Sequence, residues 1–153
     1  MDPMYVVALL FPISFAAIWL GVTLMLSFLS GWSSLAQAYR GRLSSAERAV
    51  TMGSGMMSRF GLPASFNHVL NVSVGAEGVQ LSLFPLFAVG SPPLLIPWSD
   101  VAGCRSYRSL GMFDRFTFRP ALCDVQITLA GAAARMLRDE VSRGTLGRAL
   151  VPA

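Results

Sequence analysis

Few side chains in this sequence could do covalent or metal chemistry, and they do not cluster. His68 is the only histidine. A structural or catalytic metal site needs several His, Cys or carboxylate ligands at recurrent spacings, so His68 reads as a surface or hydrogen-bonded residue. No Ser-His-acid constellation can be argued from this one histidine. Cys104 and Cys123 are the only cysteines and lack CxxC spacing; they could pair in an oxidising compartment, but two small half-buried side chains is the plainer reading, with their redox state open. Asp100, Asp114, Asp124, Asp139 and Glu140 read as turn and surface carboxylates, with no two marked as an acid–base pair. Gly53-Ser54-Gly55 is too short for a phosphate-binding loop, and no GxGxxG follows a strand. The expectation is a chain that is not an enzyme, with no metal and no cofactor.

What remains is recognition chemistry. Arg105, Arg108, Arg115 and Arg119 fall on one predicted hairpin. Strand alternation sends some of them to one face, suited to acidic lipid headgroups or a partner's acidic patch; a solvated hairpin face is the plainer reading. Trp98 is a candidate partner anchor, against the plainer role of a core aromatic pinning a strand end. The net charge is +4, all twelve basic residues are Arg, and no run of like charges marks a nucleic-acid tail.

The element that must position all of this is Met4 to Leu29, which carries no charge. An uncharged apolar run longer than roughly 18 residues reads as a membrane-spanning helix. Its Val, Leu, Ile and Phe residues together favour insertion by about 5 kcal/mol. Pro12 removes one backbone hydrogen bond and predicts a kink. Ser14, Ala17 and Gly21 form a small-residue strip of the kind that lets a second helix approach in lipid. No His, Asp, Glu, Lys or Arg lies in the span, so it offers no proton relay or ion site. The N-terminal flank holds Asp2 and no basic residue, unlike a cleaved signal peptide, so the helix is expected to be an uncleaved anchor. Arg40, Arg42 and Arg48 follow it and place the N-terminus outside and the rest of the chain in the cytoplasm. Tyr5 and Trp32 suit the two aromatic belts.

Residues 1–32 are thus the anchor and 33–49 an interfacial connector. Ser33 or Ser34 is expected to cap a short helix lying at the membrane surface, and Ser44, Ser45 and Glu47 to start another helical turn. Met52–Phe60 reads as a first strand weakened by glycines. Period-two alternation then marks Val69–Val74, a turn over Gly75–Gly78, and Val79–Leu83. Phe84–Pro93 is apolar but broken by Pro85, Gly90, Pro92 and Pro93, so it is a loop or an edge. Leu94–Pro97, a hairpin of Val101–Leu110 and Phe113–Phe118, and Val125–Leu129 complete about seven strands. Ala132–Arg143 is a closing helix, with Arg135, Arg138 and Asp139 in water and Gly144 as its cap. The fold class is α+β: one N-terminal transmembrane helix, then a small antiparallel β domain with a C-terminal helix.

The stretch Gly78-Val79-Gln80-Leu81-Ser82, followed by Pro92-Pro93-Leu94-Leu95-Ile96-Pro97-Trp98-Ser99-Asp100-Val101, resembles the pleckstrin-homology-like domains of small bacterial membrane proteins. The resemblance implies a strongly bent seven-stranded sheet plugged at one end by the last helix, over residues 50–144, with 145–153 as a tail. It implies no catalytic residues. Inositol-phosphate binders of the wider fold use a basic first loop, where this chain has only Arg59 and His68. The expected function is a membrane-anchored interaction module in the bacterial inner membrane, an accessory subunit of a larger respiratory, photosynthetic or transport complex. Its partners would be the lipid bilayer and other membrane protein subunits, not nucleic acid. The alternative is a membrane-surface sensor of a lipid or small ligand.

Overall fold

A computed structural model of the chain describes residues 3–143. Asp2, the expected cap Gly144 and the 145–153 tail lie outside the described residues. The first element, α1, is a single helix over Pro3–Leu29 and runs through Pro12. It is long and apolar enough to cross a membrane. Almost all of its apolar side chains are exposed, from Met4 through Leu29, which suits a helix whose solvent is hydrocarbon.

Seven antiparallel strands follow: β1 (Arg48–Arg59), β2 (Leu62–Gly75), β3 (Gly78–Leu83), β4 (Leu94–Pro97), β5 (Val101–Ser109), β6 (Phe113–Pro120) and β7 (Val125–Ala130). They form one curled sheet in the order β4-β3-β2-β1-β7-β6-β5. The expected α+β class is correct. The first hairpin is longer than alternation predicts. Its strands meet at a two-residue turn, Phe60-Gly61, where both residues have positive φ, the turn that matches strand twist. Register shifts between Val50 and Gly55 interrupt the β1–β2 ladder, and Met52 and His68 adopt positive φ there. These bulges erase the period-two pattern over the middle of both strands. Ser44, Ser45 and Glu47 start no helical turn. The Glu47 N–H donates to the Val74 carbonyl at 2.8 Å, so the segment already follows the sheet.

The second helix, α2, spans Trp32–Tyr39 and is capped by Gly31 at φ 82, with no side-chain cap, rather than by Ser33 or Ser34. Left-handed backbone at that point favours glycine. Trp32, Leu35 and Tyr39 are buried in the same core as Val72, Ile96 and Phe118. Trp32 is therefore not a belt residue: its indole N–H donates to the Pro92 carbonyl at 2.9 Å inside the protein. Past α2, Gly41 N–H donates to Pro93 and Arg40 bridges to Leu94, covering part of the β4 edge. The last helix, α3 (Ala132–Ser142), turns Ala133, Ala134, Met136 and Leu137 inward.

Candidate functional site

The β5–β6 hairpin sorts the four arginines by register. Arg105 lies opposite Thr117, Tyr107 opposite Arg115 and Ala102 opposite Arg119. Residues opposed in a sheet share a face, as do residues two apart. Arg105, Arg115 and Arg119 therefore stand on one face with Tyr107 and Gln126, and none pairs with a carboxylate among the described residues. Arg119 donates to Gln126 at 3.4 Å. The Arg115 Nε is buried with no partner. Arg108 belongs to the other face, where it meets Asp114 at 3.5 Å.

Asp114 is not a free surface carboxylate. Arg108, Arg135 and Arg138 converge on it at 3.4 to 4.0 Å, so it fastens α3 to the hairpin. Glu140 is buried rather than exposed and takes Arg48 at 3.3 Å and Arg143 at 3.5 Å. Both carboxylates are tied to arginines across elements, and that is structural work. Cys104 and Cys123 are half-buried free thiols. Burial pushes both thiols above their ordinary value of 9.0, with Arg59 partly opposing the shift at Cys123. No group of three or more potential metal ligands occurs among the described residues.

Trp98 is buried at 8% exposure, and its indole N–H donates to the Gly75 carbonyl at 2.8 Å. It pins the β4–β5 turn to the end of β2 and has no free face for a partner.

On α1, one side holds the protein's own domain and the other is open. The Trp19 indole N–H donates to the Leu86 carbonyl at 3.4 Å, and its ring lies 5.2 Å from Phe87. The Ser27 hydroxyl donates to Gly90 at 2.9 Å. Thr23 and Ser27 are buried. At about 100° per residue, Trp19, Thr23 and Ser27 point roughly 140–220° away from Ser14. Ser14 and Gly21 therefore face away from the β domain, with Ala17 at the edge of that side, about 80° round the helix from Ser27, and all three are exposed. A Cβ at Gly21 would touch nothing within 4 Å.

Between α1 and β2 lies a cavity of about 650 Å³, within the usual range of small-molecule sites. Leu26, Leu29, Leu62, Phe66, Leu83 and Phe87 supply apolar wall, with Ser27 and Asn67 among the polar groups. Sequence reasoning missed this site and the contacts of Trp19 and Ser27 that frame it. The available signal was a Trp and hydroxyl side chains four residues apart on an apolar helix, at Trp19, Thr23 and Ser27.

No protein-family model matches the chain, and no curated protein matches it.

Proposed function

We propose that this chain is a non-enzymatic, membrane-anchored interaction module, an accessory or structural subunit of a larger membrane complex of the respiratory, photosynthetic or transport kind. The observation that carries this reading is the exposed strip of Ser14, Ala17 and Gly21. Ser14 and Gly21 lie on the side of α1 opposite the helix's own domain, with Ala17 at the edge of that side, and there a neighbouring helix can approach closely. The β domain, in this reading, is of the pleckstrin-homology-like type, a likeness supported by its seven bent strands and closing helix. It sits on the cytoplasmic side of a bacterial inner membrane, the side favoured by Arg40, Arg42 and Arg48. The arginine face of Arg105, Arg115 and Arg119 gives it a second contact surface for acidic groups. Purification from native membranes in a mild detergent tests the proposal. The expected result is one or more co-purifying membrane chains; a lone monomer even under the gentlest extraction overturns it.

A second reading, a sensor of a lipid or small ligand, is favoured by the cavity between α1 and β2. A bound lipid or small molecule recovered with the purified chain, in the absence of any partner protein, would favour this reading over the first.

A further inference from the structure

We infer that the β3–β4 loop, Phe84 to Gly90, is a second membrane-inserted element that enters the hydrocarbon beside α1. The inference rests on the reading of α1 as a membrane span. Three observations carry it.

The first is depth. The loop touches α1 from Trp19 to Ser27. Trp19 lies ten residues before the end of α1, about 15 Å along the axis. A helix of 27 residues is about 40 Å long against a hydrocarbon core of about 30 Å. If it is centred, roughly 5 Å protrudes at each end, and the level of Trp19 and Leu86 is then about 10 Å inside the core. The second is composition. From Gly78 to Ser99 there is no charged residue, and Phe84, Leu86 and Val89 hold 43%, 59% and 40% of their surface exposed. Apolar residues at a loop tip are unfavourable in water and favourable in lipid.

The third is backbone accounting. Irregular backbone at membrane depth survives only where its polar groups are satisfied within the protein. Here α1 and α2 supply side-chain donors to the loop: Trp19 to Leu86, Ser27 to Gly90 and Trp32 to Pro92. The carbonyls of Phe84, Pro85 and Ala88 accept the N–H groups of Phe87, Ala88 and Ser91. Pro85, Pro92 and Pro93 have no N–H to satisfy. These bonds lower the cost of taking the loop out of water, while the N–H groups of Leu86, Val89 and Gly90 have no protein acceptor among the described residues and are left to the interface or to water.

The test uses the full chain in phospholipid vesicles, with no other protein present and with Cys104 and Cys123 replaced by Ser. Single cysteines carry a polarity-sensitive fluorophore at Leu86→Cys, at Val89→Cys as a second probe of the loop, at Phe11→Cys on α1, and at Glu77→Cys on the β2–β3 turn. The expected result is that the loop labels are quenched by lipids brominated along the acyl chain several-fold more than the Glu77 label, as the Phe11 label is. Loop labels quenched by aqueous iodide while the Phe11 label stays shielded would overturn the inference, leave α1 as a membrane span, and point to a protein partner as the loop's natural cover. A Phe11 label open to iodide would remove the membrane reading itself and the inference with it.

Discussion

The Tyr39 phenol donates to an Asp100 carboxylate oxygen at 3.0 Å, and the same oxygen of Tyr39 accepts the Leu122 N–H at 2.9 Å. One side chain at the end of α2 thus ties together the β4–β5 turn and the β6–β7 turn. Tyr39→Phe removes both bonds and leaves its ring in place. We expect a loss of about 1–2 kcal/mol, read as a lower unfolding midpoint of the purified chain.

The same residue sets a pH response. Burial, the larger cause, and Asp100 raise the Tyr39 phenol above its ordinary value of 10.0, against the Leu122 N–H. Between the unfolded and folded values the unfolded chain has already lost this proton and the native chain keeps it. Stability from Tyr39 is therefore complete below about pH 10 and falls as pH rises through the folded value. Unfolding midpoints measured from about pH 9 upward should decline more steeply in the parent chain than in Tyr39→Phe; parallel curves would refute the assignment.

Trp98→Phe keeps an apolar ring in the core but leaves the Gly75 carbonyl without its 2.8 Å donor. The expected cost is about 1–3 kcal/mol. Because Trp98 is buried, the folded variant should retain partners as well as the parent does. Loss of a co-purifying chain at full folding would reinstate Trp98 as a contact residue.

How much of this was legible in the sequence depends on whether one face of an element meets water. β3, β6 and β7 are readable within a residue or two because Leu81, Phe116, Phe118 and Ile127 enter the core from one face while Gln80, Arg119, Gln126 and the bonded Thr117–Thr128 pair stand on the other. β1 and β2 blur because bulges at Met52-Gly53 and near His68 reset the alternation. The role of α2 was unreadable for a different reason. Trp32, Leu35 and Tyr39 form one apolar stripe, and a stripe looks the same whether it meets lipid or a core. The attachment of α1 to the β3–β4 loop joins residues more than sixty apart, Trp19 with Leu86 and Ser27 with Gly90, and no local pattern encodes such a contact. The arginine face was half legible: alternation divides the four residues, but only the register assigns Arg108 to the Asp114 side.

Gly90 separates a packing effect from a backbone effect. It has φ +73, and a Cβ there would lie 2.5 Å from Leu24 Cδ2 on α1; Gly103 has φ +60 and open space around it. Both Ala variants suffer left-handed strain of about 1–2 kcal/mol. Gly90→Ala must also push the loop from the helix, adding up to about 1–3 kcal/mol. Denaturant melts of the two variants should show Gly90→Ala as the less stable. Equal losses would mean that the loop does not press on α1.

The thiols offer a check on burial. With Cys104 and Cys123 both raised above 9.0 by burial, the reactive thiolate is scarce at neutral pH. Maleimide labelling of the native chain should be much slower than labelling in denaturant, with the rate still climbing above about pH 9. Fast stoichiometric labelling of either thiol near neutrality would contradict its half-buried setting.

Gly21→Ile tests the interaction strip with little risk of confusion from misfolding. Nothing lies within 4 Å of the new Cβ, and replacing an interior helical glycine favours the helix by roughly 0.5–1 kcal/mol or costs little. The β domain attaches on the far side of α1, through Trp19 and Ser27, so its unfolding midpoint should not move. A bulky side chain on the strip nevertheless prevents the close backbone approach that small residues permit. Co-purification of a partner helix should therefore drop several-fold in Gly21→Ile and in Ala17→Ile, while Ala8→Ile, a control roughly 120–180° round α1 from the strip, has no effect. Undiminished retention in both strip variants would remove the contact from this face of the helix and, with it, the main support for an interaction module.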